Sequence, residues 1–167
     1  PAQVSTATAT IQLTGVNDAP QAANDSNAVN EGIDTIANDT TSGNVLTNDS
    51  DPDDPNSSFT VTEVAGNSAL VGTVIAGSYG TVEIQSDGNY TYTLDDTNPA
   101  VQALRQGDSL IDSFAYKMSD NHADGNVKTD TATLNISIIG GSDAPIAEND
   151  TAHVVEDLSP SASGNVI

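Results

Sequence analysis

Apolar residues recur at every second position in several segments of this chain, the period of a half-buried strand. Residues 1–14 carry Ala7, Ala9, Ile11 and Leu13 on one side and so predict a strand. Pro20 then ends the alternation, because proline cannot donate a ladder hydrogen bond and holds Ala19 extended. From Asn24 to Asn48 only Val29, Ile33, Ile36 and Val45-Leu46 are apolar, which predicts short strands separated by a polar loop. Phe59 to Gly66 predicts a strand, and Ser68 to Gln85 predicts strand interrupted by glycine turns. The clearest hairpin joins Val82 and Ile84 to Tyr90 and Tyr92 through Ser86-Asp87-Gly88-Asn89, since Asp-Gly supplies the positive φ that a tight turn needs. Asn98 to Gly107 is the one helix expected, with Asn98 as cap, Pro99 in the first turn and Gly107 as terminator. Two further strands close the pattern, Ser109 to Asp120 through Phe114, Tyr116 and Met118, and Thr131 to Ile139 with Leu134, Ile136 and Ile138 inward. Many short strands with frequent turns predict an all-β sandwich.

One stretch occurs twice. GVNDAPQAAND at 15–25 returns as GGSDAPIAEND at 140–150, a constant offset of 125 residues (18 to 143, 25 to 150). The echo extends upstream, where TATATIQL at 6–13 aligns with TATLNISI at 131–138. It extends downstream from SGNVL at 42–46 to SGNVI at 163–167, after a four-residue deletion. A long fixed period predicts an array of whole domains. Residues 1–17 are then the last strand of one repeat, 18–142 a complete repeat and 143–167 the start of the next. No leader peptide opens the sequence, and we expect it to be an internal piece of a longer chain.

Charge changes the picture more than composition does. The 24 Asp and Glu against 3 Lys and Arg give a net charge of −21. That excludes nucleic acid and an anionic membrane surface as partners, because both require basic clusters. No apolar run is long enough for a membrane span. Two readings of the acid remain open, a solvated surface that keeps the chain soluble or a set of cation ligands. Cysteine is absent, so disulfides do not contribute to stability.

The run VGTVIAGSYGTVEIQSDGNYTYTLDDTNPAVQALRQGDSLIDSFAYKMSDNHADG, with the frame TATLNISIIGGSDAP, resembles the VCBS-type repeat of large bacterial RTX adhesins. The likeness covers roughly Ala19 to Asp143. It implies a cadherin-like or immunoglobulin-like Greek-key sandwich with one short helix, in a tandem array. It further implies export by type I secretion to the cell surface, where such arrays project a distal binding domain in adhesion or biofilm formation. The linker VNDAP is similar to a degenerate form of the calcium-binding linker between cadherin domains.

Candidate ligands follow from these residues. Asp49, Asp51 and Asp53 sit at positions 1, 3 and 5 of an EF-hand-like loop, but Asp54 replaces the glycine at position 6 and Thr60 the glutamate at position 12. An EF-hand is therefore excluded. The resemblance makes Asp51 and Asp53 a cadherin-type D-x-D pair, and it brings Asp120 and the linker's Asp18 to the same end of the sandwich as an upstream calcium site. Glu31 then points to the opposite end towards Asp143, with Glu156 as its echo. Asp25 and Asp150 flank the linkers, although either also fits an Asx-turn, and Asp112 is a further candidate for the lower site. A solvated acidic loop is the competing account of these carboxylates.

Catalytic signatures are absent: no H-E-x-x-H, G-x-S-x-G or P-loop occurs. The GGxGxD nonapeptide of the calcium β-roll is missing too. His122 and His153 lie far apart in polar surroundings, which disfavours zinc. A glycosidase carboxylate pair would lack an aromatic platform, since Trp is absent. The expectation is a non-enzymatic, calcium-stabilised extender whose partners are its neighbouring repeats. The alternative is a module that itself binds a glycan or protein.

Overall fold

A computed structural model describes residues 1–32, 39–141 and 149. The alternating segments form β1 (Asp25–Asn30), β2 (Thr40–Asn44), β3 (Thr60–Val64), β4 (Ile75–Ala76), β5 (Gly80–Ile84), β6 (Asn89–Leu94), β7 (Ser109–Ser119) and β8 (Thr129–Ile139). They pair as two sheets, in the orders β1-β8-β7-β3 and β2-β6-β5-β4. Every pairing is antiparallel except that of β1 with β8, which is parallel. This is the expected immunoglobulin-like sandwich.

The core follows from register. Phe114 faces Leu134 and Tyr116 faces Ala132 across β7 and β8, so even-numbered residues of both strands point inward. Val82, Ile84, Tyr90, Tyr92 and Leu94 supply the opposing sheet. Tyr92 and Phe114 bridge the two layers with ring centroids 6.0 Å apart. Burying each such side chain fully contributes about 1.5–3 kcal/mol. Buried tyrosines need partners for their hydroxyls, and both central ones have them. Tyr92 donates to Asp112 Oδ2 at 3.1 Å, and the Tyr116 oxygen lies 2.8 Å from both Val45 O and Asp25 Oδ2.

The β5–β6 hairpin forms as the sequence predicts. Gly88 has φ +83°, and a Cβ there would lie 2.6 Å from Leu46 Cγ, so both backbone and packing require glycine.

Three expectations are corrected. Residues 1–14 form no strand; they are exposed, and among the described residues no strand pairs with them. Alternation marks a segment fit for a sheet, and without a neighbour its ladder groups stay with water. The helix is Pro99–Gln102, half the length expected. Asn98 caps it through Ala100 N as foreseen, but Leu104 N turns to Val101 O so that both side chains reach the core. Ser68 to Gln85 holds a 3-10 turn at Ser68–Leu70 and the two-residue β4 before β5, rather than extended strand. Ile33 and Ile36 lie outside the described residues. No helix among the described residues is long and apolar enough to cross a membrane.

Candidate metal centre

The inward face of β7 carries two carboxylates. Asp112 follows Leu110 near its start and Asp120 continues it one residue beyond the strand, and both are buried. At the Asp120 end, the incoming chain and two loops meet.

The β2–β3 loop brings its acids there by local hydrogen bonding. Asp51 Oδ1 accepts from Asp53 N at 2.7 Å and from Asp54 N at 3.0 Å, an Asx-turn that folds the loop back on itself. Phe59, buried just after a 3-10 turn at Asn56–Ser58, anchors its far side. The β7–β8 connection is tied to it by Asn121, which has φ +49° and donates to Ser58 O at 2.9 Å and Thr60 Oγ1 at 2.8 Å. Asp51, Asp54 and Asp120 consequently each offer an oxygen within 4.8 Å of the other two.

The incoming chain is clamped over this group. Gln21 and Ser50 exchange backbone hydrogen bonds of 2.8 and 3.2 Å. Asp18 N donates to Asp53 Oδ2 at 2.7 Å. Asn17 is only 6% exposed, and its Nδ2 donates to Asp120 Oδ2 at 2.8 Å and to Asn126 O at 2.7 Å. Its other atom, Oδ1, is buried without a hydrogen-bond partner, and so is Asp51 Oδ2. Orphaned buried acceptors are costly, and an oxygen-seeking cation is what would satisfy them.

Electrostatics agree with this arrangement. Burial works against the charge on Asp120, but the Asn17 amide and the backbone N–H groups of Lys128 and His122 outweigh it and hold its carboxyl below the usual range. His122 Nδ1 lies 2.5 Å from Asp54 Oδ2, and this contact holds the imidazole above its usual value. No Lys or Arg ion pair to Asp51, Asp54 or Asp120 exists among the described residues; Lys117 pairs with Glu63 instead.

The other sequence-nominated acids fall in different places. Asp53 and Asp18 are at the site, but Asp53 is spent on the Asp18 backbone and the Asp18 side chain is exposed. Asp49 is buried behind the loop, its Oδ1 accepting from Ala23 N at 2.8 Å, and burial pushes its carboxyl up. Asp25 opens β1 against Tyr116; burial raises its carboxyl to about 6, with the charge of Asp49 adding to the effect. Asp112 is enclosed at the far end of β7, accepting from Ser78 N, Tyr79 N and the Tyr92 hydroxyl. Glu31 is buried at the outgoing end, where Oε2 accepts from Gly141 N at 3.2 Å. Asp143, Asp150, Glu156 and His153 lie outside the described residues. Sequence reasoning alone does not single out Asp54 or Asn17. Asp54 carries a weak signal, the acidic residue standing where an EF-hand needs glycine, whereas Asn17 carries none because its echo at 142 is serine.

The sequence profile of the bacterial cadherin-like domain matches residues 17–140. The calcium-binding lectin RapA2 of Rhizobium johnstonii is 34% identical over 137 residues, covering 77% of this chain and 53% of the lectin. The chain thus spans about half the length of that curated relative. Among solved structures, a nucleoside hydrolase-related hypothetical protein from Saccharophagus degradans, associated with carbohydrate metabolism, superposes with a TM-score of 0.38 at 13% identity, over 75% of this chain and 26% of its own. So loose a likeness carries no weight.

Proposed function

Because the chain belongs to the family of bacterial cadherin-like domains, we propose that it is a calcium-stabilised, non-enzymatic adhesion module of an extracellular or cell-surface protein. One ion would be held by Asp51, Asp54, Asp120 and the Oδ1 of Asn17. The observation that carries this reading is the excess of acceptors: two buried oxygens lack donors, Oδ1 of Asn17 and Oδ2 of Asp51, and Asp51 is itself one of three converging carboxylates. The similarity to a calcium-binding lectin supports the same ion.

The ion would bind the incoming linker to the sandwich. Without it, three carboxylates repel one another, and the linker is held by hydrogen bonds alone, those of Asn17, Asp18 and the Gln21–Ser50 pair among them. With it, the linker is fixed in angle relative to the domain. In a tandem array with neighbouring repeats at 1–17 and 143–167, that fixation makes a stiff extender projecting a distal binding domain, as in RTX adhesins exported by type I secretion. Extracellular modules bind calcium with Kd of about 10⁻⁴ to 10⁻³ M, so the site would fill only after export. Thermal unfolding in calcium and in chelator, at fixed ionic strength, tests the reading. We expect Tm to rise by many degrees in calcium and not in magnesium; equal Tm in both overturns it.

The lectin relative favours a second reading, in which the module itself binds glycan. A glycan array probed with the calcium-loaded chain separates the two, since an extender binds none.

A further inference from the structure

We infer that His122 is a positioning residue of the cation site, its imidazole holding Asp54 in place for the ion; the inference rests on the calcium reading above. The three carboxylates are oriented in three different ways. Asp51 is held by its own loop, through the N–H groups of Asp53 and Asp54. Asp120 is held by Asn17 Nδ2 and by the N–H groups of His122 and Lys128. Asp54 has one polar partner for its carboxylate among the described residues, and that is His122 Nδ1 at 2.5 Å.

The contact joins two loops that are remote in sequence. His122 follows Asp120 closely, and its backbone N–H reaches Asp120 Oδ1 at 3.2 Å while its ring reaches Asp54. One residue therefore touches two of the three carboxylates and sets their separation. It engages Oδ2 of Asp54, which leaves Oδ1 for an ion. The other ring nitrogen, Nε2, stands 3.7 Å from Asp124 Oδ1, beyond hydrogen-bonding distance, so Nδ1 carries the role. Groups that orient a metal ligand from outside the coordination shell commonly change affinity about 10- to 100-fold when removed.

The geometry dictates the test. An asparagine amide places its Nδ2 close to where Nδ1 lies, whereas glutamine reaches towards Nε2. Calcium affinity is measured by calorimetry at one pH and ionic strength for the unsubstituted chain, His122→Ala, His122→Asn and His122→Gln, with Tm recorded in calcium and in chelator. The expected result is at least about tenfold weaker binding for His122→Ala and His122→Gln, near-complete rescue by His122→Asn, and a smaller calcium-induced rise in Tm at unchanged chelator Tm. Unchanged affinity in His122→Ala overturns the inference, as does failure of His122→Asn to rescue. A fall in Tm that is equal in calcium and in chelator overturns it as well, because it marks a structural strap. If the unsubstituted chain binds no calcium, the functional reading itself falls and takes this inference with it.

Discussion

Asp112 and Asp120 share one inward strand face and its continuation, are both buried, and both accept several hydrogen bonds, yet their surroundings differ. Asp112 stands alone. Two backbone N–H groups and a tyrosine hydroxyl converge on its two oxygens, so the chain itself satisfies the charge. The packing leaves no room for anything else: a Cβ on Gly77 would lie 2.7 Å from Asp112 Cγ. Asp120 is equally well supplied with donors but shares its end with Asp51 and Asp54, and oxygens remain over. Burial of a carboxylate therefore does not mark a metal ligand. The proposed calcium reading rests instead on a local surplus of acceptors over donors where carboxylates converge.

Substitutions can break or sharpen that contrast. Asp112→Ala strands three donors, of which the Tyr92 hydroxyl is buried and the Ser78 and Tyr79 N–H groups are partly so, and we expect a loss of about 2 kcal/mol in urea unfolding, the same in calcium and in chelator. A loss confined to calcium would move Asp112 into the metal class. Asp51→Asn should do the reverse, weakening calcium at least about tenfold, or about 1.4 kcal/mol, by calorimetry while leaving or raising Tm in chelator, since it relieves like-charge repulsion. Asn17→Ala removes the linker's amide, and we expect about 1 kcal/mol less stabilisation by calcium, read as the shift between chelator and calcium unfolding curves.

The smallest effect concerns Asp25, a half-buried acid of neither class. Burial pushes its folded carboxyl up to about 6 from the ordinary 3.8. The raised value means the folded state holds the proton more tightly, so this contribution to stability is complete below about 4 and is lost as pH rises through about 6. The proton has a place to sit. Tyr116 has one hydrogen and two oxygens at 2.8 Å, so a protonated Asp25 donates to Tyr116 while Tyr116 donates to Val45 O. Asp25→Asn should flatten that stretch of the stability–pH curve and stabilise the chain at pH 7 by about 0.5–1 kcal/mol, a figure discounted because the carboxyl is partly solvated.

Much of the sandwich is legible in the alternation alone. Phe114, Tyr116 and Met118, and Leu134, Ile136 and Ile138, point inward as their spacing predicts, because period 2 leaves a buried strand no other register. Residues 1–14 show the limit of the method. Their pattern equals that of β8, but pattern does not supply a neighbour. The site was half legible for a similar reason. Asp51 and Asp120 stand out through the resemblance to cadherin loops, whereas Asp54 and Asn17 reach the candidate site through contacts across the fold, with His122 and Asp120, that no local spacing encodes.

The parallel pairing of β1 with β8 has a mechanical consequence. The two strands run side by side in register from Asp25 opposite Leu134 to Asn30 opposite Ile139. Tension applied to the chain before β1 and after β8 pulls the two strands lengthwise past each other. The inter-strand bonds lie across that pull and are loaded together, so they must fail as a group rather than open one at a time like a zip. A domain paired this way resists stretching at the place where the chain enters and leaves it.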